Sequence, residues 1–168
     1  MTIAQLALVV AITIAGVQQD STKAFDVSSE SSLYDVRGRF AGTFRVEPSE
    51  ITIVVKSGSV LATRSDPRIQ VRAIVAGPSG ASWKKVGSSK PQVLGGFGAG
   101  ERREVTDSLV FRISTPRGFD AQQHWLVFQF GRSDGSTTYA CSERNLAGPD
   151  SLSAQRAQQL RTFYPMAC

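Results

Sequence analysis

The 168-residue chain holds one histidine and two cysteines. One histidine excludes every metal motif built on a histidine pair, HExxH included. Two cysteines and one distant histidine do not supply four ligands at any usual zinc spacing. Ser133 lies in GRSDG, Gly131 to Gly135, a GxSxG spacing, but the run reads as a turn between two strands rather than as the strand-to-helix elbow of an α/β-hydrolase. The glycine-rich stretch LGGFGAGE has its glycines at 95, 96, 98 and 100. That is not the GxGxxG spacing of a dinucleotide site, and the ERREV after it reads as extended rather than helical. SDGS lacks the acidic spacing of an EF-hand loop. No internal repeat is found, and no cofactor is expected. Hydrophobic content of 41% against 20% charged fits one globular domain and excludes a disordered tail.

The longest apolar run comes first. MTIAQLALVVAITIAGV, from Met1 to Val17, has no charged side chain, and the polar QQDSTKA follows it. An apolar segment followed by small residues is the pattern of a secretory signal. Ala15 and Ala24 offer small residues at the cut, so residues 1–24 are expected to be a leader cleaved between about 15 and 24. No Lys or Arg precedes the run, so only the amino terminus supplies positive charge there. Retained instead, residues 3–17 would form an anchor at the lower edge of the ~17–25 residues a span requires. A buried core segment is the third reading. The expected location is therefore secreted or periplasmic, with membrane anchoring as the alternative.

Export bears on the cysteines, Cys141 and Cys168. In an oxidising compartment an even number of cysteines reads as a disulfide. Closing the loop between them would contribute roughly 3–4 kcal/mol in the chain-entropy picture. It would also staple a terminal segment that otherwise frays. The alternative is a redox-active or intermolecular thiol.

Beyond the leader the hydrophobicity has period two. Residues 25–32 are expected to be a flexible lead-in, and residues 33–168 one β-rich domain. In VRGRFAGTFRV, Val36, Gly38, Phe40, Gly42, Phe44 and Val46 share one face, while Arg37, Arg39 and Arg45 share the other. ITIVVK repeats the alternation, and SGS at 57–59 is expected to turn the chain into VLATR. IQVRAIV, SWKKV and SLVFRIS read as further strands. HWLVFQF is apolar on both faces, which predicts a central strand covered on each side. GPSG and RSDGS punctuate these runs as turns. Many short strands between Gly/Pro turns predict a mainly β protein: an antiparallel β-sandwich, Ig-like or barrel-like in detail. The tail AGPDSLSAQRAQQLRTFYP has Asp150 as an N-cap and Pro165 as a stop. It predicts a short C-terminal helix against the sandwich.

Three functional readings follow. The leading one is an exported, non-catalytic domain that binds a protein or an anionic envelope component. Its binding residues would be Arg37, Arg39 and Arg45 on one strand face, Phe97 exposed at the tip of a mobile glycine loop, and Arg102 and Arg103 just after it. The net charge of +5 favours such partners. It is unchanged by leader removal, because Asp20 and Lys23 leave together. Nucleic acid is not favoured, since most aromatics fall on inward faces rather than on a stacking surface. A membrane is a partner only if the leader is retained. The second reading is a secreted hydrolase with His124 as general base, which requires a nucleophile and an orienting acid beside it. The third is an inhibitor of an extracellular enzyme, presenting residues 95–100 or 117–122 as a protruding loop.

Overall fold

The structure, a computed structural model, describes residues 22–29, 34–79, 82–117 and 119–146. The expected leader up to residue 21, the expected C-terminal helix and Cys168 lie outside the described residues. Ten strands are described: β1 (Lys23–Ser28), β2 (Val36–Val46), β3 (Glu50–Ala62), β4 (Asp66–Ser79), β5 (Ser82–Ser88), β6 (Gln92–Phe97), β7 (Arg102–Val105), β8 (Leu109–Ser114), β9 (Trp125–Gly131) and β10 (Thr137–Asn145). A single 3-10 turn, Ala121–Gln123, precedes β9.

All pairings are antiparallel, and the chain forms a β-sandwich. One layer is built on β4, β9 and β10, with β5 and β6 both paired to β4. The other is built on β1, β2 and β3, with β7 and β8 both paired to β3. The layers join where β1 meets β10 through only two residue pairs, Val27 with Ser142 and Ser28 with Cys141. Residues 25–28, expected to be lead-in, are thus part of a strand laddered on both sides. Asp26 alternates outward while Phe25 and Val27 point into the core, which a flexible segment would not need.

Phe128 of β9 joins the two layers. Its ring centroid lies 5.8 Å from Phe25, 5.1 Å from Phe40 and 5.6 Å from Phe111. These rings belong to β1, β2 and β8, so one side chain of the first layer meets three strands of the second. The Phe40 and Phe111 contacts are edge-on, the orientation the ring quadrupoles favour.

The expected turn at 57–59 is not formed. β3 continues straight through it, because Lys56 is an extra residue: Ala41 pairs with Ser57 while Gly42 pairs with Val55. A bulge changes the alternation phase. Inward residues are therefore odd before it (Ile51, Ile53, Val55) and even after it (Val60, Ala62). The break in rhythm at SGS resembles a turn in sequence, whereas the fold absorbs it as a bulge.

β2 and β3 also approach very closely at this point. A Cβ on Gly42 would lie 2.0 Å from the Val54 carbonyl oxygen and 2.9 Å from the Val55 Cα. Both are backbone atoms, so no rotamer change relieves the clash and the strands would have to part. Gly42→Ala should therefore destabilise the domain by about 1–3 kcal/mol. This is partly offset by ~0.4–1 kcal/mol from the stiffer unfolded chain. A urea titration checks it, and equal or higher stability in the variant would contradict the close approach.

Candidate functional site

Alternation along β2 places Arg37, Arg39 and Arg45 on the outer face, as expected. They do not form a bare basic patch. Arg39 donates from Nε and Nη2 to the two carboxylate oxygens of Asp26 on β1, at 3.2 and 2.6 Å. Arg45 Nη2 lies 2.8 Å from Glu47 Oε1 in the turn that follows. Among the described residues the buried Arg37 Nε has no hydrogen-bond partner. Arg37 and Arg45 are eight residues apart, roughly 26 Å along a strand. The sequence grouped three cations; the fold spreads them out and puts a carboxylate on two of them.

The glycine stretch is not a mobile loop. Residues up to Phe97 belong to β6, and Gly98–Glu101 form a tight turn. Glu101 N–H donates to the Gly98 carbonyl at 3.1 Å, and Gly100 has φ of 74°, a conformation glycine adopts without penalty. The turn is tied to the end of β3, where Gly100 N–H donates to the Ala62 carbonyl at 2.8 Å. Phe97 is only 5% exposed, which corrects the expectation of an aromatic at a loop tip. It pairs with Asp66 across the ladder, and the Arg103 guanidinium lies over its ring at 4.1 Å.

Arg103 also bonds the backbone of β6, with Nη1 donating to Leu94 O at 3.1 Å and Nη2 to Gly96 O at 2.8 Å. Nη2 also reaches Glu101 Oε1 at 2.6 Å. The Gly98 N–H first, and then Arg103, hold the Glu101 carboxyl below the ordinary carboxylate range. Arg103 is thus a side-chain bridge between β6 and β7, two strands that do not pair with each other. Its neighbour Arg102 is exposed on β7 opposite Leu61, with no ion pair among the described residues.

A second side-chain bridge lies beside the first. Gln92 Nε2 donates to the Val110 carbonyl of β8 at 2.5 Å. The β6 edge therefore meets β7 and β8 along a seam that carries no backbone ladder. Val93 on β6, 55% exposed, and Val110 on β8, 42% exposed, are the exposed large hydrophobics among the described residues; Val93 pairs with Gln70 and Val110 with Val54, each on the outer face of its own layer. Arg102 and Arg103 lie on β7, and Arg112 on β8 donates from Nη1 to Glu50 Oε1 at 2.8 Å. Sequence reading found Arg102 and Arg103 but missed the two valines. Each alternates outward within an ordinary strand pattern.

His124 serves the scaffold. Its imidazole stacks on Phe119 with centroids 4.4 Å apart, and it lies so close over Gly77 that a Cβ there would meet its Nε2 at 2.4 Å. Nδ1 is hydrogen-bonded to the Asp120 backbone carbonyl. The Asp120 carboxylate instead caps the 3-10 turn, accepting from Gln122 N–H at 2.9 Å. Among the described residues no serine hydroxyl or carboxylate is hydrogen-bonded to either ring nitrogen. No group of three or more His, Cys, Asp or Glu placed to hold a metal ion occurs among the described residues.

The other end of the sandwich holds a charge network that sequence reading missed. Arg132, whose side chain is 9% exposed, donates from Nε to Asp66 Oδ2 at 3.1 Å and from Nη1 to Asp35 Oδ2 at 2.8 Å. Asp66, 1% exposed in its side chain, also accepts from the Arg68 N–H at 2.8 Å and from both the N–H and the hydroxyl of Ser133. Burial alone would raise the Asp66 carboxyl. The hydrogen bonds from Arg68, Ser133 and Arg132 outweigh burial and hold it below the usual range. RSDGS and SDPR each read locally as turn punctuation, and neither signals that it binds the other.

These features define a class: an antiparallel β-sandwich in which the side chains of Arg103 and Gln92 bridge β6 to β7 and β8. No protein-family model, curated protein or solved structure matches the chain. Cys141 is placed on β10 opposite Val127; its expected partner Cys168 lies outside the described residues. Among the described residues no helix is long and apolar enough to cross a membrane.

Proposed function

We propose that this is an exported, non-catalytic binding module whose partner is an acidic protein docking on the β6–β7–β8 seam. The observation that carries this reading is the exposure of Val93 and Val110 on the two strands that Gln92 bridges, with Arg102 exposed on β7. Exposed apolar side chains rimmed by charge mark interaction surfaces. Arg102 supplies steering charge that no carboxylate of the described residues cancels. Arg39, Arg45, Arg103 and Arg112 contribute less, because each already holds a carboxylate.

The leader fits this reading if cleavage falls near Ala15. A cut after Ala24 would remove the Lys23–Phe44 and Ala24–Thr43 pairs that begin β1. The catalytic reading has less support, since the His124 ring is held between Phe119 and Gly77.

The test is capture from an envelope extract by immobilised protein. Val93→Asp/Val110→Asp should abolish the captured species, and Arg102→Ser should weaken capture and flatten its salt dependence. Arg39→Ser/Arg45→Ser should leave it nearly intact. Equal capture by the seam variants and the parent would remove the seam from consideration.

A further inference from the structure

Two strand edges of the sandwich are met by side chains rather than by strands. Among the described residues β6 has a ladder on one edge only, with β4, and β7 has one only with β3. On its other edge β6 does not leave its carbonyls to water. Arg103 of β7 donates to two of them, from Nη1 to Leu94 O at 3.1 Å and from Nη2 to Gly96 O at 2.8 Å. Leu94 and Gly96 are two residues apart, the spacing at which a strand turns successive carbonyls to one edge. The N–H groups of one guanidinium thus stand where the backbone N–H groups of an added strand would stand.

The ladder of β7 places Arg103 for this. Arg103 is matched with the buried Val60, and residues matched across a ladder share a face. Its side chain therefore leaves β7 toward the other layer, whereas Arg102 and Glu104 alternate outward. Charge pointing inward from an edge strand is one of the ways proteins keep edges from pairing. Two further contacts fix the guanidinium: it lies over the Phe97 ring at 4.1 Å, and Nη2 reaches Glu101 Oε1 at 2.6 Å. Gln92 makes the reciprocal bond from β6, donating from Nε2 to the Val110 carbonyl of β8, whose described ladder is with β3.

We infer that Arg103 is a cap on the free edge of β6: its guanidinium occupies the place of an added strand and keeps the sandwich from pairing edge to edge with a second copy of the chain. This does not rest on the proposed docking, which uses the exposed valines and Arg102. Without the cap the Leu94 and Gly96 carbonyls become part of a template that an identical edge can engage. Arginine suits the position better than lysine, because its planar fork presents several donors in fixed geometry.

The test compares the self-association of full-chain variants by sedimentation over a range of concentrations. Arg103→Met keeps an unbranched stem beside Phe97 and removes the donors. It should associate at a concentration at least about tenfold below the parent, the scale of one or two regained backbone hydrogen bonds. Amide hydrogen exchange over Gln92–Phe97 should slow as it associates. Arg102→Met removes the same charge from the adjacent position and should sediment like the parent. Arg103→Lys keeps the charge and loses the fork, so it too should associate more readily than the parent; this milder change decides the matter if Arg103→Met does not fold. Parent-like sedimentation of either Arg103 variant would overturn the inference. Equal association of Arg102→Met would do so as well, because it assigns the effect to lost charge. Association that leaves exchange over Gln92–Phe97 unchanged would place the contact on another surface and sink the idea in the same way.

Discussion

Asp66→Ala should lower the unfolding free energy by about 3–5 kcal/mol, the range for removing one partner of a buried ion pair. The cause is what remains behind. Arg132 stays in place with its side chain 9% exposed, now sharing only Asp35 and the distant Asp134 carboxylate at 3.5 Å. The Ser133 and Arg68 N–H groups lose their acceptor as well. The network clamps three separate parts of the chain: the start of β2 through Asp35, the start of β4 through Asp66, and the β9–β10 turn through Arg132. Asp66→Ala/Arg132→Met should recover part of the loss, because the uncompensated charge goes with its partner. Denaturant titration of both variants is the check, and a single-variant loss below about 1 kcal/mol, the worth of an exposed pair, would show that the network behaves like a surface one.

The same carboxylate sets an acid limit. Its folded-state titration lies below the ordinary value. Its contribution is therefore complete above the unfolded-state value near ~3.9 and drains away as pH falls through the folded-state value. The parent should lose stability steeply below about pH 4, and Asp66→Ala should show a shallower acid limb.

The second large effect is Phe128→Ala, expected to cost about 3–5 kcal/mol. The ring is fully buried, and it touches Phe25, Phe40 and Phe111 at once. Its removal opens a cavity between the layers where three strands of the facing sheet converge, so collapse on one side cannot fill it. Differential scanning calorimetry would show a lower midpoint and a broadened transition. Val93→Ala on the exposed seam serves as the comparison and should stay within about ±0.5 kcal/mol. Similar losses in the two variants would mean that the core is not organised around Phe128.

Much of the strand architecture is legible in local pattern. The alternation in VRGRFAGTFRV, the doubly apolar WLVFQF and the RSDGS turn each appear as read, because period-two burial and turn chemistry are properties of a few adjacent residues. Phe97 and the SGS stretch were misread for a shared reason. A glycine-rich or serine-rich sequence looks the same whether it is solvated or pinned. Only the partner atoms distinguish the cases: Arg103 over Phe97, and the one-residue bulge at Lys56 that keeps β3 continuous. The arginine face of β2 is legible as a face, whereas the Asp26 carboxylate that reaches Arg39 from another strand is not.

The sequence by itself determined the antiparallel β character, the inward set of Val, Ile and Phe, and the cationic excess, all of which follow from short-range periodicity and composition. The tertiary structure alone decided which charges meet and which edges stay unladdered. Asp66 and Arg132 are 66 residues apart, and Gln92 reaches Val110 across two strands that share no ladder. Such contacts depend on how long strands bend and pair, and no window of neighbouring residues contains that information.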